Sequence, residues 1–119
     1  MRDLHEAFGY VTVVANGLVG VWGIVAWRLP RLRGRPLWVA TIAAEVTVLI
    51  TVVLGTILVA AQDFEPSEIH MFYGFVAFAT VGGMYGYKYL WKARGWLELA
   101  YGLGGLFLMG LAIRAILEA

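Results

Sequence analysis

The chain has 119 residues and no Cys, with 61% hydrophobic and 14% charged residues, a formal net charge of +1 and a mean hydropathy of +0.79. Soluble domains carry about 45–50% apolar and about 25% charged residues, so a soluble globular domain, a disordered chain, a collagen, a disulfide scaffold and a basic nucleic-acid binder are all excluded. A membrane protein remains, without disulfide, iron–sulfur or thiol chemistry.

The expected fold is all-α. A helix needs about 20 apolar residues to cross a hydrocarbon core of about 30 Å, and four such spans fill residues 1–119 as one transmembrane domain. Span one is expected at 8–27, span two at 37–61, span three at 69–91 and span four at 96–116. Asp3 with Glu6 three residues on reads as a capping box for the first. Its apolar run is about twice the length of a signal-peptide core and the basic cluster follows it, the order of a retained first helix. The stretch from Arg28 to Pro36 holds Arg28, Arg31, Arg33, Arg35 and two prolines, so it breaks the helix and stays out of lipid. The acidic turn from Gln62 to Glu68 is broken at Pro66, and Ser67 suits the N-cap of span three. Lys92 to Gly95 forms a short basic turn before span four.

Charge orients the bundle. Seven basic residues (Arg28, Arg31, Arg33, Arg35, Lys88, Lys92 and Arg94) lie at one end and two, Arg2 and Arg114, at the other. The basic end is therefore expected in the cytoplasm, with both termini outside a bacterial plasma membrane. Trp27, Trp38, Trp91 and Trp96 fall at the same end, as an interfacial belt does.

Spans one and three open alike. His5, Gly9, Val11 and Gly17 recur 65 residues on as His70, Gly74, Val76 and Gly82. A duplicated hairpin and simple convergence of two apolar helices both produce this pattern. Gly17, Gly20 and Gly23, Gly82 and Gly86, and Gly102, Gly104, Gly105 and Gly110 supply small faces for close helix packing.

Few residues offer chemistry. Glu45 lies roughly 12 Å below the basic end of span two, where a charge costs a few kcal/mol unless it is paired or protonated. It reads as a proton or cation site or a partner contact, or as a packing carboxyl bonded to Thr41 or Lys88. His5 and His70 read as two ligands of a b-type haem, with Gly9 and Gly74 giving the porphyrin room, or as half-solvated interfacial residues. A divalent metal would add Glu6, Asp63, Glu65 or Glu68, but no metal-ligand spacing is present. Asn16 is expected to bond a neighbouring helix. Tyr85, Tyr87 and Tyr89 read as interface anchors or the wall of a quinone pocket. Arg28, Arg31, Arg33 and Arg35 set topology and suit anionic head groups such as cardiolipin. No nucleotide loop, nucleophile–base pair or zinc-protease motif occurs, so no enzyme is expected.

The four-span layout, the His-x-x-Phe-Gly-Tyr opening at His5–Tyr10, the Asn16-Gly17 step and the Arg- and Pro-rich loop resemble the small actinobacterial membrane proteins of the respiratory supercomplex joining cytochrome bcc to an aa3-type oxidase. That resemblance implies a non-catalytic association factor without cofactor, partnered by cytochrome bcc and aa3 oxidase components. Two other readings stand beside it. One is a small b-type haem or quinone-binding protein using His5 and His70, although dihaem proteins resembling the cytochrome b561 family have histidines at both faces. The other is a proton-coupled transporter using Glu45. Small multidrug resistance proteins keep their essential Glu in the first helix, and this chain does not.

Overall fold

The computed structural model describes residues 2–61, 66–90 and 96–118. Helix α1 is Arg2–Arg28, α2 is Arg35–Ala61, α3 is Glu68–Leu90 and α4 is Leu97–Leu117, with one 3-10 turn at Pro30–Leu32. They form an elongated bundle of 48 × 24 × 20 Å. Helices α1, α2 and α4 are long and apolar enough to cross a membrane. Helix α3 falls outside that group, because tyrosines and glycines replace much of the aliphatic content that the other three carry.

The helix starts follow local chemistry. Ser67 caps α3 as expected: its Oγ accepts the His70 N–H at 3.1 Å. It also ties the start of α3 to the end of α4 by donating to the Glu118 carbonyl at 2.9 Å. The expected capping box at Asp3 is not formed. The helix already includes Arg2, so Asp3 lies inside the first turn and complements the helix dipole there. Pro30 opens the 3-10 turn, and Gly34 takes a φ of 126° just before α2, a left-handed conformation that glycine adopts without strain. The acidic turn at 62–65 and the basic residues Lys92 and Arg94, with Trp91, lie outside the described residues.

Helix α1 packs most extensively against α4 and next against α2. Helix α3 packs on α4 and only lightly on α2. The α1–α4 seam is made by glycine. A Cβ on Gly20 would stand 2.9 Å from the Gly102 carbonyl oxygen, one on Gly23 2.9 Å from the Gly102 Cα, and one on Gly105 2.8 Å from the Asn16 carbonyl oxygen. Backbone meets backbone here, as close membrane-helix packing requires. The expected partner role of Gly82 is different: a Cβ there, or on Gly74 or Gly83, would meet nothing within 4 Å. At mid-bundle Val48, Val81, Leu108 and Leu111 form the core joining α2, α3 and α4.

Candidate functional site

Polar side chains gather in three places. The first is a ladder between α1 and α2. Asn16 is 1% exposed and donates through Nδ2 to the carbonyls of Thr12 at 2.9 Å and Ala44 at 3.3 Å. The Thr12 hydroxyl donates to Thr47 at 3.2 Å and lies 3.1 Å from Thr51 Oγ1. Asn16 thus bonds a neighbouring helix, as its sequence position suggests. The threonines escaped sequence reasoning. Their only signal is the four-residue spacing of Thr47 and Thr51, which places both on one face of α2.

The second place is the histidine end. His5 Nδ1 lies 2.9 Å from the Thr51 carbonyl oxygen, and His70 Nδ1 lies 2.7 Å from the Ala115 carbonyl oxygen. A carbonyl only accepts, so each Nδ1 carries a proton and donates it. The imidazole centroids stand 6.1 Å apart with their planes at 74°. Each histidine reaches the next helix along the chain with the same atom, across spacings of 46 and 45 residues. Anchoring one ring nitrogen on a backbone carbonyl is the usual way of orienting a metal-ligating histidine. With metal–nitrogen bonds of about 2.0 Å, two imidazoles on opposite sides of one ion would have centroids about 6 Å apart. Gly55 accommodates His5: a Cβ there would come within 2.9 Å of the ring's Cε1.

The glycines expected to admit a porphyrin do not share that task. Gly9 is buried, and Ile116 of α4 lies 3.9 Å from where its Cβ would be, so α4 occupies that space. Gly74 faces open space. Among the described residues, no three His, Asp or Glu side chains cluster as a metal site would need. Asp63 and Glu65 lie outside the described residues.

The third place is a cavity of about 220 Å³ between α2 and α3, closed behind by α4 at Tyr101. Trp38, Thr41, Glu45, Tyr85 and Lys88 are among the residues that line it. Glu45 does not bond Thr41, whose hydroxyl turns back to the Leu37 carbonyl at 2.8 Å. Glu45 Oε1 is buried and has no hydrogen-bond partner among the described residues. Lys88 is the cation that acts on Glu45 electrostatically, and its Nζ lies 3.8 Å over the Trp38 ring. Trp38 meets Tyr101 edge-on at 5.2 Å, and the Tyr101 hydroxyl donates to the Met84 carbonyl at 2.6 Å. Sequence reasoning paired Glu45 with Lys88 and singled out Tyr85 separately. It missed Tyr101, which stands in the apolar run of α4.

The four arginines divide. Arg33 holds the end of α1, donating from Nε to the Ala26 carbonyl at 2.8 Å and from Nη2 to the Trp27 carbonyl at 2.6 Å. It also lies 3.8 Å from Glu98 of α4. Arg28 stands 4.8 Å over the Trp27 ring, and Trp27 stacks on Trp96 at 5.5 Å. Arg31 and Arg35 are exposed. The head-group role expected of all four thus competes, at Arg33, with a structural one. Compared with known protein families, curated proteins and solved structures, the chain shows no match.

Proposed function

We propose that the chain is a non-catalytic accessory subunit that docks through α3 on a helix of a larger bacterial membrane complex. In this reading α3 is a fourth span, two repeated hairpins stand side by side, and both termini face outward, as the basic-residue bias favours. One observation carries the docking. Gly82 and Gly83 are exposed, and a Cβ on either would meet nothing within 4 Å among the described residues, although each glycine inside a helix costs about 1 kcal/mol relative to alanine. The same chain uses glycine in α1 and α4 for backbone contact. A helix from another subunit would give α3 the same return. Phe72, Phe75 and Phe78 add an exposed aromatic surface on α3.

The complex that suits this reading is the respiratory supercomplex of cytochrome bcc and aa3 oxidase, with anionic lipid such as cardiolipin at Arg31 and Arg35. Purification of the tagged chain from its native membrane under mild detergent tests it. Bands of a-, b- and c-type haem are expected in the reduced-minus-oxidised spectrum, and Gly82→Leu with Gly83→Leu is expected to remove them while the chain still folds. A chain that purifies alone and colourless overturns the reading.

A second reading, a b-type haem between His5 and His70, has one observation in its favour: two carbonyl-anchored imidazoles 6.1 Å apart. It requires a b-type spectrum from the chain purified alone and loss of that spectrum in His5→Ala and His70→Ala.

A further inference from the structure

We propose that the cavity between α2 and α3 binds the head group of a lipid-soluble quinol, with Glu45 accepting a hydrogen bond from a ring hydroxyl. The proposal stands independently of the docking reading. Three features of the cavity define its occupant.

The first is access. The cavity is flanked by Ile42, Val46 and Tyr85, which are 51%, 42% and 63% exposed on the outer surface of the bundle. In a membrane that surface faces hydrocarbon, so the ligand arrives from the lipid phase and leaves an apolar tail between α2 and α3.

The second is shape. An apolar cavity of about 150 Å³ holds benzene, so the 220 Å³ present here admits a larger, two-ring head. Trp38, Tyr85 and Tyr101 supply aromatic wall, against which a flat ring packs by stacking or edge contact. Leu49 and Val81 line the mid-bundle end.

The third is polarity. Glu45 Oε1 is a buried acceptor without a partner among the described residues. The neighbouring hydroxyls of Thr41 and Tyr101 donate to backbone carbonyls. The ligand must therefore bring a donor to Glu45, in a mostly apolar lining whose other charged group is Lys88 over the Trp38 ring. An acyl chain carries none. A buried water needs two to four polar partners, and the Thr41 and Tyr101 hydroxyls of the cavity wall are already committed to backbone carbonyls. A hydroquinone carries a flat apolar ring, a hydroxyl donor and an apolar tail in one molecule.

Photolabelling of the full chain in quinone-free phospholipid nanodiscs tests this. The probe is an azido-1,4-naphthoquinone with a farnesyl tail, and the competitor is the unlabelled naphthoquinol with the same tail under anaerobic conditions. Adducts are expected within residues 38–49 and 81–88 and are expected to disappear with excess competitor. Glu45→Leu should raise the competitor concentration needed by at least tenfold, and Glu45→Gln, which keeps an amide oxygen as acceptor, by less. Ile42→Trp fills the mouth from an exposed position and should abolish the adducts with the helical circular dichroism unchanged. Adducts spread over the outer faces of all four helices and insensitive to competitor overturn the proposal. So does labelling of Glu45→Leu and Ile42→Trp at the wild-type level.

Discussion

The bundle has two seams that the 65-residue offset relates, and they are built in opposite ways. In the α1–α4 seam, Gly20 and Gly23 lie against Gly102 and Gly105 with backbone in contact. Sixty-five residues on from Gly20 and Gly23 stand Tyr85 and Lys88. In the α2–α3 seam these two side chains line a cavity with Glu45 and Trp38. Lipid supplies no hydrophobic drive between helices, so separation is set by the bulk of what lies between them. Glycine closes one seam and makes it structural. In the other, a tyrosine and a lysine stand where glycines would be, and a cavity lies beside them.

The largest expected effect breaks the closed seam. A Cβ on Gly102 would stand 2.6 Å from the Ile24 amide nitrogen and 2.8 Å from the Gly20 carbonyl oxygen. Backbone cannot yield as a flexible side chain can. Overpacking costs about 1–3 kcal/mol in ordinary cores, and Gly102→Leu is expected to reach or exceed the top of that range. Thermal unfolding in detergent, followed by circular dichroism, should show this as a lower midpoint. An unchanged midpoint would mean that the seam is looser than its glycines imply.

Next comes the polar ladder beside that seam. Asn16→Leu removes the inter-helix bond to Ala44, and such bonds are worth about 0.6 kcal/mol and up to about 1.7 in membranes. The same unfolding measurement should show a loss of that size, well below that of Gly102→Leu. Equal losses would show that hydrogen bonding, not close approach, holds α1 in place.

How far the sequence revealed these seams differs between them. The four helices follow from apolar runs, three of them long and apolar enough to cross a membrane, and their described ends lie close to the expected ones except at α1, which begins at Arg2 and not at 8. The Ser67 cap was legible because a hydroxyl before a helix satisfies orphan N–H groups. The Gly17–Gly20–Gly23 face was legible as a packing surface, but not its choice of α4 over α2, since small residues carry no address. Glu45 stood out because a carboxyl in an apolar run is costly. Lys88 was a candidate partner for it, but the rest of its surroundings did not stand out, because Trp38, Tyr85 and Tyr101 come from three helices and meet only through the bundle. The histidine pair lay between these cases. The repeat suggested that His5 and His70 are equivalent, but the anchors at Thr51 and Ala115 are backbone carbonyls, which every residue offers alike.

A third change converts one seam toward the other. Tyr85→Gly with Lys88→Gly places on α3 the residues that α1 has at the corresponding positions. The double change gives up about 1 kcal/mol of helix propensity, and closer approach of α2 to α3 should recover part of it. Spin labels on Val39 and Tyr87, measured by pulsed electron resonance, should show a shorter distance than in the parent. A constant distance would mean that the mid-bundle core at Val48 and Val81, rather than the bulk of Tyr85 and Lys88, sets the gap.

On the exposed face of α3 no loss of stability is expected, and a change there separates folding from assembly. Gly82→Leu introduces a side chain where nothing lies within 4 Å and replaces a poor helix former by a good one, a gain of about 0.5–1 kcal/mol. The isolated chain should therefore melt at the same temperature or slightly higher. In the native membrane the same change should cost the chain its haem-bearing company, because the space it fills is the space a docked helix needs. In the closed seam, Gly102→Leu is expected to lower both the melting point and recovery of the complex. At Gly82 the two readouts are expected to diverge, and that divergence distinguishes a glycine serving the fold from one serving a partner. Should Gly82→Leu leave recovery of the complex intact, the open glycines of α3 face lipid alone and the docking surface lies elsewhere on the bundle.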